Sequence, residues 1–202
     1  MSSNIEGFVG DVKGVIILDN EGARVMAKYY NSKGTFFETL SSQKAFERSI
    51  FQKSNKVSGS NRSANSFEND IMTVDNYVAI FRMYSDFSIF IIGHSDDNEL
   101  ILGMVLDCIH ECFDRIFRHN IERKSLINNM SGVILVIDEL FDQGIVMHLD
   151  PNVILARIKT QKSSSSSAST APGADAGADA GGGLFASVFS GARSQLAKTM
   201  GM

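Results

Sequence analysis

The chain has 202 residues, 44% of them apolar and 21% charged, with a formal net charge of −4 and a pI near 5.5. That length accommodates one domain with a tail and a core that needs no disulfide or metal. The mild acidity excludes a global basic footprint for nucleic acid or anionic lipid.

No stretch approaches the roughly 20 apolar residues that span a bilayer. The opening MSSNIEGFVGDVKG has neither the basic nor the apolar region of a secretory signal. Ser2 stands where myristoylation needs glycine, and no prenylation motif closes the chain. The sequons at Asn61 and Asn129 are then chance matches, and the chain reads as cytosolic.

Four zones follow one another. Residues 1–11 form a flexible N-terminus, 12–160 a patterned domain, 161–183 a Ser/Ala/Gly-rich linker, and 184–202 a short amphipathic helix. Val12 to Leu18 is an apolar, β-branched run, and Asp19-Asn20-Glu21-Gly22 supplies turn chemistry. Arg24 to Tyr30 alternates, which predicts Val25, Ala27 and Tyr29 on one face and Arg24, Met26 and Lys28 on the other. Phe46, Ile50 and Phe51 give Ser42–Lys53 a helical stripe, and the Ser/Asn-rich stretch 54–66 reads as a loop. Asp70–Val74, Tyr77–Tyr84 and Phe87–Gly93 are strands joined by two-residue turns, hence antiparallel neighbours.

A long helix runs from Asp97 to about Arg118, with Asp96 as its N-cap and Glu99 closing a capping box. A further helix is expected from near Asn120 through Phe141, stopped by Gly144. Asp150-Pro151 opens a short last helix over Val153–Ile158. Strands in close succession with helices as cover describe an α+β layered domain around an antiparallel sheet.

Nothing in the pattern suggests catalysis. Cys108 and Cys112 read as buried thiols on one helical stripe rather than as a redox or metal pair. His94, His110, His119 and His148 are scattered, and neither phosphate-cradling glycine pattern occurs. Asp138, Glu139 and Asp142 lack a nearby nucleophile, so they read as a solvated or partner-pairing face. Lys28 and Tyr30 end the second strand as candidates for a partner face, while Tyr29 is expected to pack under the sheet. In the tail, Leu184, Phe185, Val188, Phe189, Ala192 and Leu196 share one side, opposite Ser187, Ser190, Ser194, Arg193 and Lys198. That segment is suited to a protein surface or a lipid interface.

The segment LDNEGARVMAKYY (18–30) resembles the opening hairpin of the small, longin-fold subunits of vesicle coats. QKAFERSIFQK (43–53), residues 98–130 and VIDELFDQGIVMHLDP (136–151) are similar to the coatomer zeta branch of that family, and VFSGARSQLAKTM (188–200) to its extra C-terminal helix. The Ala-Lys-Tyr-Tyr ending of the hairpin would also suit the sigma branch of clathrin adaptors. This resemblance implies a longin (SNARE-like) fold: a five-stranded antiparallel sheet flanked by helices. It implies a non-enzymatic role without cofactor, metal or nucleotide, in which the chain pairs with the trunk of the coatomer gamma subunit within the inner COPI coat. An Arf-family GTPase would recruit that coat to Golgi membrane. Lys28, Tyr30, Asp138, Asp142, Phe185, Val188 and Phe189 are the candidate partner-interface residues. The sheet edge and exposed apolar helix residues are expected to complete the surface. Two other roles fit the same fold: an adaptor sigma subunit that binds sorting signals, and a longin-type regulatory module for small GTPases.

Overall fold

A computed structural model describes residues 11–30, 33–58 and 68–166. The chain divides at Ser166 into two units, and the second lies outside those residues, with Phe185, Val188 and Phe189 in it.

The first unit is built on a five-stranded antiparallel sheet of order β2-β1-β5-β4-β3, with β1 Gly14–Asp19, β2 Arg24–Tyr29, β3 Asp70–Val74, β4 Tyr77–Met83 and β5 Phe87–His94. The β1–β2 turn closes as expected. The Asp19 carboxylate accepts from the Glu21 and Ala23 amides, and Gly22 takes φ +78°. A Cβ on Gly22 would also strike the Phe51 ring at 2.7 Å, so both backbone and packing require glycine there.

The alternation predicted for β2 fails at one point. Ile17 faces Met26 but Leu18 faces Arg24, so Val25 is an extra residue in the ladder. Val25 and Met26 therefore both pack on the same core, while Arg24 turns to the other face beside Ala27 and Tyr29.

Each sheet face carries its own core. One is covered by α1 (Leu40–Ser58) and a 3-10 turn at Phe36–Glu38, with Phe37, Phe46, Phe81 and Phe90 at its centre. The other lies under α2 (Glu99–Ile116), α4 (Met130–Leu140) and α5 (Pro151–Ser166), and is mostly aliphatic. Cys108 and Cys112 belong to it as buried thiols, and their mutual hydrogen bond, with burial, pushes Cys112 up.

Several element boundaries move from their sequence-based positions, and α1 runs from Leu40 to Ser58, past Lys53 and into the stretch expected to be a loop. The α2 cap is Asn98, whose side chain accepts from the Leu100 amide, rather than Asp96. Asp97 is taken by the end of β5, where it accepts from the His94 amide. The helix expected from Asn120 to Phe141 is two helices, α3 (Arg123–Asn128) and α4, because Asn129 leaves helical geometry at φ −113°, ψ 24° and donates its side-chain amide to Ser125. Beyond α4 a small hairpin forms from β6 (Phe141–Asp142) and β7 (Ile145–Val146). α5 extends past Ile158 to Ser166.

Candidate partner surface

The C-terminal hairpin is held by the start of the domain. The Val12 amide donates to the Gly144 carbonyl at 2.9 Å, and Asp11 bridges to Ile145. Gly144 sits at φ +96°, and a Cβ there would come within 2.5 Å of the Val12 carbonyl. So Gly144 is the hinge of this hairpin rather than a helix stop.

Anchoring the hairpin brings α4 alongside the β2 edge. There the Lys28 ammonium meets the Asp138 carboxylate at 2.5 Å across 110 residues of sequence. The same ammonium lies 5.1 Å from the centre of the Tyr30 ring. Two of the candidates are thereby joined in one ion pair, with both side chains part-exposed.

Tyr30 takes a different part from the one expected. It is only 6% exposed, packs its ring against Phe141, and belongs to the aliphatic core. Burial, then the Asp138 charge, holds its phenol well above the usual range. Its ring positions Lys28 and offers little area to a partner. Asp142 is exposed on β6, directly opposite the exposed Ile145. Tyr29 packs as predicted, stacked on Phe37, and its hydroxyl donates to Glu47 at 2.9 Å.

Exposed apolar groups accompany the Lys28–Asp138 pair on α4 and the hairpin, and one of them, Ile134, continues the helical rhythm of the helix expected there. Ile134, one turn before Asp138 on α4, is 44% exposed, and Ile145 and Met147 on the hairpin are about half exposed. The signal was available in part: Asp142, Ile145 and Met147 bracket a tight turn, where alternate side chains must leave the core. An ion pair flanked by uncovered isoleucines and a methionine is the composition of a protein-docking surface.

Chemistry of other kinds finds less support. No group of three metal-ligating side chains converges among the described residues. In an open groove of about 600 Å³, Asp19, Asp86 and Arg123 are engaged with one another. The Arg123 amide donates to both Asp86 oxygens, and its guanidinium stands 3.6 Å from Asp19. No helix among the described residues is long and apolar enough to cross a membrane.

Comparison with known proteins decides the family. The model of the clathrin adaptor complex small chain matches residues 11–165. The chain belongs to that family. Among its relatives, coatomer subunit zeta-1 of Homo sapiens is 32% identical over 154 residues, covering 76% of this chain and 80% of the relative. Coatomer subunit zeta-3 of Oryza sativa is 35% identical over 147 residues, covering 73% and 78%. A homology model of the full-length AP-3 complex in a stretched open conformation contains a similar chain, with a TM-score of 0.56 and 17% identity. It covers 77% of this protein and 96% of that chain, and carries the fold alone. The longin-type architecture inferred from sequence is the one present, in a family of small coat and adaptor subunits rather than of enzymes.

Proposed function

We propose that this adaptor small-chain family member is the zeta-type subunit of coatomer, pairing with the trunk of the large gamma subunit in the inner COPI coat. In that role it is a non-enzymatic, cytosolic protein that reaches Golgi membrane through the assembled coat and an Arf-family GTPase. It would serve Golgi-to-ER and intra-Golgi transport. The similarity to coatomer zeta subunits of a mammal and a plant over about three quarters of the chain supports this.

The observation that carries the pairing is the surface at the β2 edge. Ile134, Ile145 and Met147 stand exposed around the Lys28–Asp138 pair, with Asp142 at its margin. A trunk helix laid across it would bury the apolar side chains and leave the ion pair to fix register. Phe185, Val188 and Phe189 of the tail are proposed as a further contact, made once the trunk is in place.

Co-expression with a coatomer gamma trunk, followed by size-exclusion chromatography, tests the assignment. A stable one-to-one complex is expected, and Ile134→Asp with Ile145→Asp should abolish it. A chain that stays monomeric beside gamma would sink the proposal. Pairing with an adaptor large chain and binding of an acidic dileucine peptide would then favour a sigma-type subunit, which the family model also accommodates.

A further inference from the structure

The opposite edge of the sheet carries a second uncovered apolar patch. Leu100 and Met104, one turn apart near the start of α2, are 77% and 54% exposed. Ile71 on β3 is 44% exposed, and its register opposite Ile80 directs it to the α2 side of the sheet. Asn69 ties the two elements together, donating its side-chain amide to the Gly103 carbonyl and to Asp107. β3 is the last strand of the sheet, with no strand on its outer side among the described residues.

Charge in the segments that build this patch is one-sided. Residues 68–111 contain nine Asp and Glu side chains and only one Lys or Arg. That one, Arg82, is 5% exposed and already committed, donating to Asp107 at 2.6 Å and to Asn69 at 3.1 Å. It therefore presents no positive charge to a visitor. Glu68, Glu99 and Asp107 are exposed at the rim. The chain as a whole carries only −4, so the segments 68–111 are far more acidic than the molecule's average, while α1 brings one cation to β3, the Lys53 ammonium, which donates to the Thr73 carbonyl at 3.4 Å.

Apolar side chains in an acidic rim select against acidic ligands and for cationic ones. We infer that the β3–α2 edge is a second docking surface, whose occupant is a partner-protein segment presenting adjacent bulky apolar residues flanked by Lys or Arg. Its apolar residues cover Leu100, Met104 and Ile71, while its cationic flanks meet the exposed carboxylates of Glu99 and Glu68. The β2-edge surface, with Lys28 and Asp138 neutralising each other, lacks this selectivity. The two edges thus take different partners.

Fluorescence anisotropy on the full chain tests the assignment, using a labelled Lys-Arg-Leu-Leu-Lys-Arg peptide and a Glu-Glu-Leu-Leu-Glu-Glu control. The basic peptide should bind, weakening several-fold between about 50 and about 300 mM salt as screening grows. The acidic control should not. Leu100→Asp with Met104→Asp should reduce binding at least about tenfold. Glu99→Lys, which keeps the apolar patch intact, should weaken it about threefold. Both variants should melt like the parent, because the replaced side chains face solvent. Equal binding of the two peptides, or a double variant that still binds, would overturn the inference. So would loss of gamma-trunk pairing in the double variant, since the patch would then belong to that interface. Failure of the parent chain to pair with gamma would leave the peptide result standing and would count only against the coat assignment.

Discussion

The two faces of the sheet are covered by different means. On one, a single helix, α1, and a 3-10 turn suffice because the core is aromatic: Phe37 meets Phe46, Tyr29 and Tyr77 at ring-centroid distances of 4.8–5.0 Å, and Phe81 stacks on Phe90. On the other, three helices gather around Ile, Val and Leu side chains. Each face also holds one buried charge, of opposite sign. Glu47, 3% exposed, is satisfied by Arg24 and the Tyr29 hydroxyl, and Arg82, 5% exposed, by Asp107 and Asn69. Few large rings with a polar anchor can do the work of several helices, because each ring fills much area at little rotamer cost.

The sharpest way to break this contrast is truncation in each core. Phe90→Ala should cost about 3–5 kcal/mol and Leu106→Ala about 2–4 kcal/mol in denaturant titration. A smaller loss for Phe90→Ala than for Leu106→Ala would mean that the one-helix face does not depend on its rings as argued.

The buried charges come next. Asp107→Ala leaves the Arg82 guanidinium with only the neutral partners Asn69 and Tyr84, and should cost about 1–3 kcal/mol, Asp107 being itself well exposed. Arg82→Met removes the charge together with its need for a partner and should lie within about 1 kcal/mol of the parent. On the α1 face Glu47→Gln should cost about 1–2 kcal/mol, since Arg24 loses its ionic partner while the Tyr29 hydroxyl keeps an acceptor.

The smallest effect is a pH dependence confined to the three-helix face. His110 accepts from or donates to the Tyr84 hydroxyl at 3.0 Å, and burial followed by the Arg82 charge holds its pKa below the ordinary value. The unfolded chain therefore takes up this proton first as pH falls. Stability due to this group is complete above about pH 6.5 and declines as pH drops from there toward the lowered folded value. His110→Gln should flatten that segment of a stability–pH curve. Tyr84, pushed up to about 12 by burial, stays protonated throughout.

Much of this architecture is legible in the chain. Asp70–Val74 was placed to the residue, and β4 and β5 to within one, because two-residue turns at Asp75-Asn76 and Ser85-Asp86 punctuate β-branched and aromatic runs. The misplaced features have two causes. The β2 bulge depends on a distant partner, Arg24 finding Glu47 on α1, whereas the Asn98 cap and the break at Asn129 are settled by local competition, Asp97 being taken by the end of β5 and Asn129 bonding back to Ser125. The candidate surface was half legible for the first of these reasons. Lys28 and Asp138 could be picked singly as charged residues near apolar ones, yet their pairing needed the hairpin anchored at Val12.

By itself the sequence determined the order of the five sheet strands, their antiparallel pairing and the family, because turn chemistry, hydrophobic period and segment identity act over a few residues. Tertiary structure alone decided which apolar side chains stay uncovered. Helical rhythm carries Ile134 on an apolar stripe, whereas Leu100 and Met104 lie on the long helix outside the stripe read for it, and only the neighbouring elements decide how far each is covered. On α2, Leu100 and Met104 stay uncovered, and on α4 Ile134 does. The residues left over at those two edges are the ones available to partners.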